Sequence, residues 1–304
     1  MKKTIGIFFV LLGLISFPAI SFADEAQKSI VIIDTAIDST LPQFSGKLVQ
    51  EVCIVTSGKC PNGQTFQEGS GAATLPTTQV YKNGFDHGTI MSIIANQVNP
   101  NVNIIFIRIA GINPKTGAMY TFSQLEVQRA LDWVIANQEK YNIAVVNISQ
   151  GRVFANCNVP AGMVEQIATL KARNVAVVSA TGNNNNKTAI NSPACIGDVV
   201  AVGATDNPWS GSEPYAWDSK AAPYIARYSN VSSAVDFYAN GRWFVTNANG
   251  TTKFMAGTSN ATASISGLWL LNRQASVDAT YAVILSKATS ASNEYATGKY
   301  VLIP

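Results

Sequence analysis

Along most of this chain, short β-branched apolar runs alternate with longer stretches of helical period. Five runs read as strands: Ser29 to Asp34 (SIVIID), Asn103 to Ile109 (NIIFIRI), Ile143 to Ile148 (IAVVNI), Val175 to Ser179 (VAVVS) and Asp198 to Val202 (DVVAV). They are apolar almost throughout rather than alternating, the pattern of strands covered on both faces. Between the second and third, Leu125, Val127, Ala130, Leu131, Val134 and Ile135 recur at helical spacing behind Ser123, a residue suited to the N-cap, so Ser123 to Tyr141 predicts a crossover helix. A second helix, Ala161 to Ala172, opens behind Pro160 and joins the third strand to the fourth. The repeated βαβ order predicts an α/β fold in three layers, a doubly wound, mostly parallel sheet with helices on both faces.

The remaining segments carry less period. Thr35 to Gly84 is rich in Gly, Ser, Thr and Pro and reads as long connections with short hairpin-like pieces, the kind of loop that carries binding surface. Beyond Gly203 comes a turn-rich stretch (DNPWSGSEP), then strand candidates at Ala234 to Tyr238 and Trp243 to Val245. Apolar helical stretches follow at Ala261 to Leu271 and at Asp278 to Thr289. No repeat is evident, and the only low-complexity tract is Asn183 to Asn186.

The first residues stand apart. Lys2 and Lys3 precede an apolar segment, Ile5 to Ile15, and Ser21-Phe22-Ala23 places small residues where a signal peptidase reads. The apolar run is shorter than the roughly 20 residues a membrane-crossing helix needs. A signal peptide over residues 1–23 and one domain over residues 24–304 are therefore expected, with a secreted or periplasmic, bacterial product that has no membrane attachment after processing. In such a compartment cysteines pair. Cys53 with Cys60 and Cys157 with Cys195 are the expected bridges, although four cysteines allow three pairings and buried free thiols are the alternative.

Composition narrows the function. With 47% hydrophobic and 13% charged residues the chain can fill a large core. A formal charge of +3, from 21 Lys+Arg against 18 Asp+Glu, is too small and scattered for a nucleic-acid footprint. A single histidine, His87, excludes a zinc site built on clustered imidazoles.

In an open parallel sheet, reactive groups gather at the carboxyl ends of strands and at the helix N-termini that follow. Asp34 ends the first strand, His87 precedes the apolar run IMSIIA, and Ser259 precedes Ala261 to Leu271. A serine hydroxyl needs a base to take its proton, and an imidazole held by a carboxylate is the usual solution. Thr181-Gly182-Asn183 follows the fourth strand and offers a side-chain amide to an oxyanion, with the Ser259 N–H as a second donor. Taken singly, each residue has a plainer role. Asp34 ends a strand, Asp38 caps a turn, a histidine before a helix is structural, Ser259 is an N-cap, and Asn183 is a loop asparagine. Asp86 and Arg152 read as solvated charges bordering the cleft.

Taken together, VIIDTAID, DHGTIMSIIA, NISQG, SATGN and GTSNATASISG, in that order, resemble the segments of the subtilisin-like serine proteases (subtilases). The resemblance implies a subtilisin-like fold and an exported serine endopeptidase working through an acyl-enzyme. It places the catalytic acid, base and nucleophile at Asp34, His87 and Ser259, and the oxyanion donor at Asn183. Substrate binding falls to Ser149, Gln150, Gly151, Thr181 and Gly182, with polypeptides as substrates paired along the strand. No cofactor is implied for the chemistry. Structural calcium is common in the family, without a ligand set assignable here.

Several positions depart from the family pattern. Ala36 stands where Gly is usual, Ile90 where a second His is usual, and Asn260 and Ala263 where Met and Pro are usual. Gln150 and Arg152 make the binding segment more polar than is common, and Asn260 introduces a polar group beside the nucleophile. Only Asp24 to Lys28 lie between the expected cleavage site and the first strand, so the chain, expected to be a monomer, folds unaided or with a separate inhibitor or folding partner. Two further readings follow: a catalytically weak or inactive binding protein on the protease scaffold, and an esterase using the same triad.

Overall fold

The computed structural model describes residues 27–120, 123–206, 223–246 and 252–303. The expected signal segment and the turn-rich stretch from Asn207 to Pro214 lie outside the described residues. In chain order the elements are β1 (Ser29–Asp34), β2 (Leu48–Ile54), β3 (Phe66–Glu68), α1 (Thr77–Val80), α2 (His87–Val98), β4 (Asn103–Arg108), α3 (Gln124–Asn137), β5 (Ile143–Ile148) and β6 (Arg152–Val153). There follow α4 (Ala161–Ala172), β7 (Ala176–Ala180), β8 (Asn191–Ser192), β9 (Val199–Asp206), β10 (Tyr224–Ile225), β11 (Phe237–Asn240), β12 (Arg242–Thr246), β13 (Thr252–Ala256), α5 (Thr258–Leu271), α6 (Val277–Ser286), β14 (Thr289–Ser292) and β15 (Thr297–Tyr300).

Eleven strands form one sheet in the order β10-β14-β15-β11-β9-β7-β5-β1-β4-β2-β3. The neighbours from β11 through β2 all pair parallel, and antiparallel partners occur at the margins. This is the α/β architecture the apolar runs predict. Two cores lie on opposite faces. Ile30, Ile32, Ile104 and Phe106 pack against Ile90, Ile94, Ile265 and Trp269 of α2 and α5. Val31, Ile33, Ile105 and Ile107 pack against Leu131, Val134, Ile167 and Leu170 of α3 and α4. Successive strand residues point to opposite faces, so Asp34 shares its face with Ile30 and Ile32, the side occupied by α2 and α5.

α2 packs close on the sheet at Gly88, and α5 packs close on α2 at Gly267. A Cβ at Gly88 would lie 2.4 Å from the Phe106 ring and 2.7 Å from the Ala36 carbonyl, and one at Gly267 would lie 2.8 Å from the Ala95 carbonyl. The small-residue surface of α5, buried from Thr258 to Trp269, allows that approach. It brings the first residues of α2 and α5 to the end of β1.

Three expectations need correcting. Thr35 to Gly84 is not loop alone, because β2 is a full strand of the main sheet, parallel to β4. Its apolar run is broken by Glu51, which is buried and accepts from the N–H groups of Gly71 (2.9 Å) and Ala73 (3.2 Å). Burial pushes that carboxyl above its ordinary range against those two hydrogen bonds. Leu125, counted with the buried stripe of α3, is 46% exposed, since the first turn of the helix overhangs a cavity. Asp86 is no solvated charge: it is 4% exposed and bonds Lys253 Nζ at 2.8 Å.

Ser123 caps α3 as expected and completes a capping box with Glu126. Both expected disulfides, Cys53–Cys60 and Cys157–Cys195, are formed. Arg108, wholly buried at the end of β4, holds the loop that carries Cys60. Its guanidinium donates to the carbonyls of Lys59 (2.8 Å), Thr74 (2.9 Å) and Ala110 (3.1 Å), and burial lowers its pKa to about 10.

Candidate active site

Asp34 leaves β1 fully buried, and the next residue ties the strand to α2. The Thr35 N–H donates to Asp34 Oδ1 (2.7 Å), the Thr35 hydroxyl donates to the Phe85 carbonyl (2.9 Å), and the Gly88 N–H donates to that hydroxyl (3.0 Å). This small network sets His87 beside the carboxylate. His87 Nδ1 lies 2.8 Å from Asp34 Oδ1 and 3.0 Å from Oδ2, so Nδ1 carries the proton and donates. Burial by itself would push the imidazole pKa down. The Asp34 charge and hydrogen bond, with the nearby Asp86 charge, outweigh burial and the opposing Lys253 charge, and the net shift is upward from 6.5.

Ser259 lies in the first turn of α5, behind Gly257. Its hydroxyl donates to the Ser149 carbonyl (3.1 Å), and the Ser149 hydroxyl donates to the Ser259 carbonyl (3.1 Å). That reciprocal pair fastens the segment after β5 to the serine helix. Asn147 extends it, donating to the Ser149 hydroxyl (3.0 Å) and accepting from Ser266 (3.1 Å). Among the described residues, the hydrogen bonds of Ser259 Oγ do not include one to His87. A turn about χ1 would exchange the Ser149 carbonyl for another acceptor, and such contacts commonly tighten only when substrate arrives.

Asn183 is positioned from two sides. Its Oδ1 accepts from the Thr258 N–H (2.9 Å) and hydroxyl (3.0 Å), which leaves Nδ2 as the donor end of the amide. Before it, Gly182 has φ +101°, and a Cβ there would lie 2.5 Å from the amides of Asn191 and Asn230. Only glycine fits that approach. Asn230, fully buried, donates to the Thr181 carbonyl (2.9 Å) and accepts from the N–H groups of Asn184 and Asn186 (both 3.0 Å). The asparagine run is thus an organised loop, held by a residue that nothing in its local sequence marks as a partner.

A cleft of about 360 Å³ is lined by Thr35, His87, Ser149, Gln150, Gly151, Gly182, Asn183 and Ser259, among others. Thr181, expected among the binding residues, is fully buried behind the cleft and does not line it. Asn260, expected beside the nucleophile, is also buried, and its amide donates to the Gly241 carbonyl (2.9 Å). Sequence reasoning missed Thr35, Thr258 and Asn230, which hold the cleft residues in place. Threonine directly beside Asp34 and Ser259 was the available signal for the first two. A second cavity of about 530 Å³ adjoins Gln150 and Gly151 and is walled by Leu125, Val127, Phe154 and Met163. Regarding calcium, no group of three or more His, Cys, Asp or Glu among the described residues is placed to hold a metal ion.

The subtilase family model matches residues 26–299. Thermitase of Thermoactinomyces vulgaris is 27% identical over 252 residues, covering 81% of this chain and 75% of its own length. Minor extracellular protease Epr of Bacillus subtilis is 27% identical over 244 residues, 76% of this chain but 33% of its own. Among solved structures, the S41 psychrophilic protease superposes with a TM-score of 0.68 at 17% identity, covering 92% of each chain. A cold-adapted subtilisin-like serine proteinase superposes with a TM-score of 0.63 at 20% identity, covering 91% of this chain and 89% of its own. At those identities the structural likeness speaks for the fold, while the family model spans nearly the whole described sequence. The chain belongs to the subtilase family, the subtilisin-like serine peptidases.

Proposed function

We propose that the protein is an exported endopeptidase that hydrolyses polypeptides with Ser259 as nucleophile, His87 as general base and acid, Asp34 as the group that orients the imidazole, and Asn183 as oxyanion donor. The observation that carries this reading is the bonded Asp34–His87 pair facing the same cleft as Ser259 and the Asn183 amide. Ser259 turns from the Ser149 carbonyl toward His87 Nε2, gives up its proton and attacks the scissile carbonyl. Asp34 stabilises the imidazolium that results. The oxyanion meets Asn183 Nδ2 and the Ser259 N–H, which points from the positive end of α5. The amine leaves with the proton from His87, and water releases the acyl group by the reverse sequence. An extended substrate would lie along Ser149 to Gly151, with one side chain entering the neighbouring apolar cavity. Export rests on the charged and apolar pattern of residues 1–23, and the extracellular setting in the name of Epr agrees with it. Among the described residues no helix is long and apolar enough to cross a membrane.

The test is covalent. A peptidyl phosphonate is expected to label the protein on Ser259, located by peptide mapping. Absence of label across pH and time would favour a binding protein on a protease scaffold, a reading to which the Ser259–Ser149 hydrogen bond lends some weight. Cleavage of casein compared with turnover of simple esters then separates a peptidase from an esterase.

Oxyanion binding gives a second expectation. Asn183→Leu should lower kcat by about 10²–10³-fold with KM little changed, because the amide donates to an oxygen that is anionic only in the transition state. Steady-state kinetics on a chromogenic peptide would measure it, and a pure KM effect would instead make Asn183 a ground-state contact.

A further inference from the structure

Gln150 was expected to contact substrate, but its side chain is engaged elsewhere. Nε2 donates to Asp34 Oδ1 at 2.9 Å and lies 3.0 Å from His87 Nδ1. The amide orientation follows from its neighbours, since the opposite assignment would set the carboxamide oxygen against the carboxylate, acceptor to acceptor. Asp34 Oδ1 thus receives three donors: the Thr35 N–H, the imidazole N–H and this amide. The approach of Nε2 to Nδ1 is donor beside donor, a contact that becomes more repulsive when the ring gains a second proton. Gln150 also borders both the catalytic cleft and the adjoining apolar cavity.

We propose that Gln150 is a positioning residue for the Asp34–His87 pair, its carboxamide anchoring the carboxylate from the cleft side and limiting the proton affinity that the pair confers on the ring. The inference rests on His87 acting as the base. Charged groups face the imidazole from three elements: Asp34 at the end of β1, Asp86 just before α2, and Lys253 on β13, which is bonded to Asp86. Asp34 and Asp86 favour the imidazolium, and a base that held its proton too firmly would be idle at neutral pH. The amide opposes that drift without adding charge. It contacts the ring at Nδ1 and leaves Nε2 for proton transfer.

His87 is the only histidine in the chain, so its titration can be read directly by NMR of the imidazole in the untagged protein. Gln150→Met keeps length and loses the donor, and Gln150→Glu adds a carboxylate next to the ring. The imidazole pKa is expected to rise from wild type to Gln150→Met by about half a unit, and to Gln150→Glu by about one unit or more, a nearby opposite charge being the stronger influence. The acid limb of the phosphonate labelling rate should move in parallel. The plateau rate should fall about 3–10-fold in Gln150→Met as the carboxylate loses one of its anchors. An unshifted imidazole in both folded variants, with only KM for peptides altered, would overturn the proposal and leave Gln150 a substrate contact. Failure of wild type to label on Ser259 is a separate outcome: it would overturn the endopeptidase reading, and the Gln150 role with it.

Discussion

Ser259→Ala is expected to reduce casein hydrolysis by on the order of 10⁶-fold in kcat, as is His87→Ala, with the double variant no worse than either single one, because nucleophile and base act as a unit. The residual rate over water would come from Asn183 and substrate binding alone. The Ser259 side chain carries little of the fold. Ser259 contributes one hydrogen bond from a helix whose burial rests on its apolar residues and close contact with α2, so the alanine protein should melt close to the wild type. Phosphonate labelling, casein digestion and thermal unfolding on the same preparations make the result unambiguous. A Ser259→Ala protein that digests casein as well as its parent removes the nucleophile assignment and the mechanism built on it.

Asp34→Asn is expected to cost about 10⁴-fold in kcat, since an amide can present the wrong end to Nδ1 and stabilise the wrong tautomer. The pH profile carries the sign. In the wild type the His87 pKa is raised above 6.5, so the neutral base, and with it kcat/KM, is lost as pH falls through that raised value. Removing the carboxylate charge takes away the largest upward influence, and the acid limb should move to lower pH even as the plateau drops. The same linkage acts on stability. The protonated pair stabilises the fold fully below the unfolded value of 6.5, and that contribution disappears as pH rises through the folded one. In Asp34→Asn this part of the pH dependence should vanish from denaturant melts. A limb that stays in place would show that the carboxylate does not govern the imidazole.

Some elements were legible because local pattern and tertiary role agree. β1, β5 and α4 occupy the ranges that their apolar runs and the helix-opening Pro160 indicate, and Ser123 caps α3. β2 was not, because a buried Glu51 interrupts its apolar run, and the loop amides that make that burial tolerable come from 20 or more residues away. Asp86 misled for a related reason. A charge looks solvated until its partner is known, and Lys253 is 167 residues further on. Thr181 follows the last residue of β7 and is buried, while Gly182 and Asn183 after it line the cleft.

The sequence by itself determined a mostly parallel sheet and five of its central strands, and it offered candidate reactive residues at strand and helix ends, because these follow from local periodicity and from counting: one histidine leaves one candidate base. Only the tertiary structure decided how those residues meet. The Asp34–His87 contact, the Thr258 and Asn230 bonds that aim Asn183, the reciprocal Ser149–Ser259 pair and the placement of Gln150 on the carboxylate all join groups far apart in the chain. Such contacts depend on distances of a few tenths of an ångström between elements packed through Gly88 and Gly267, and no local pattern encodes them.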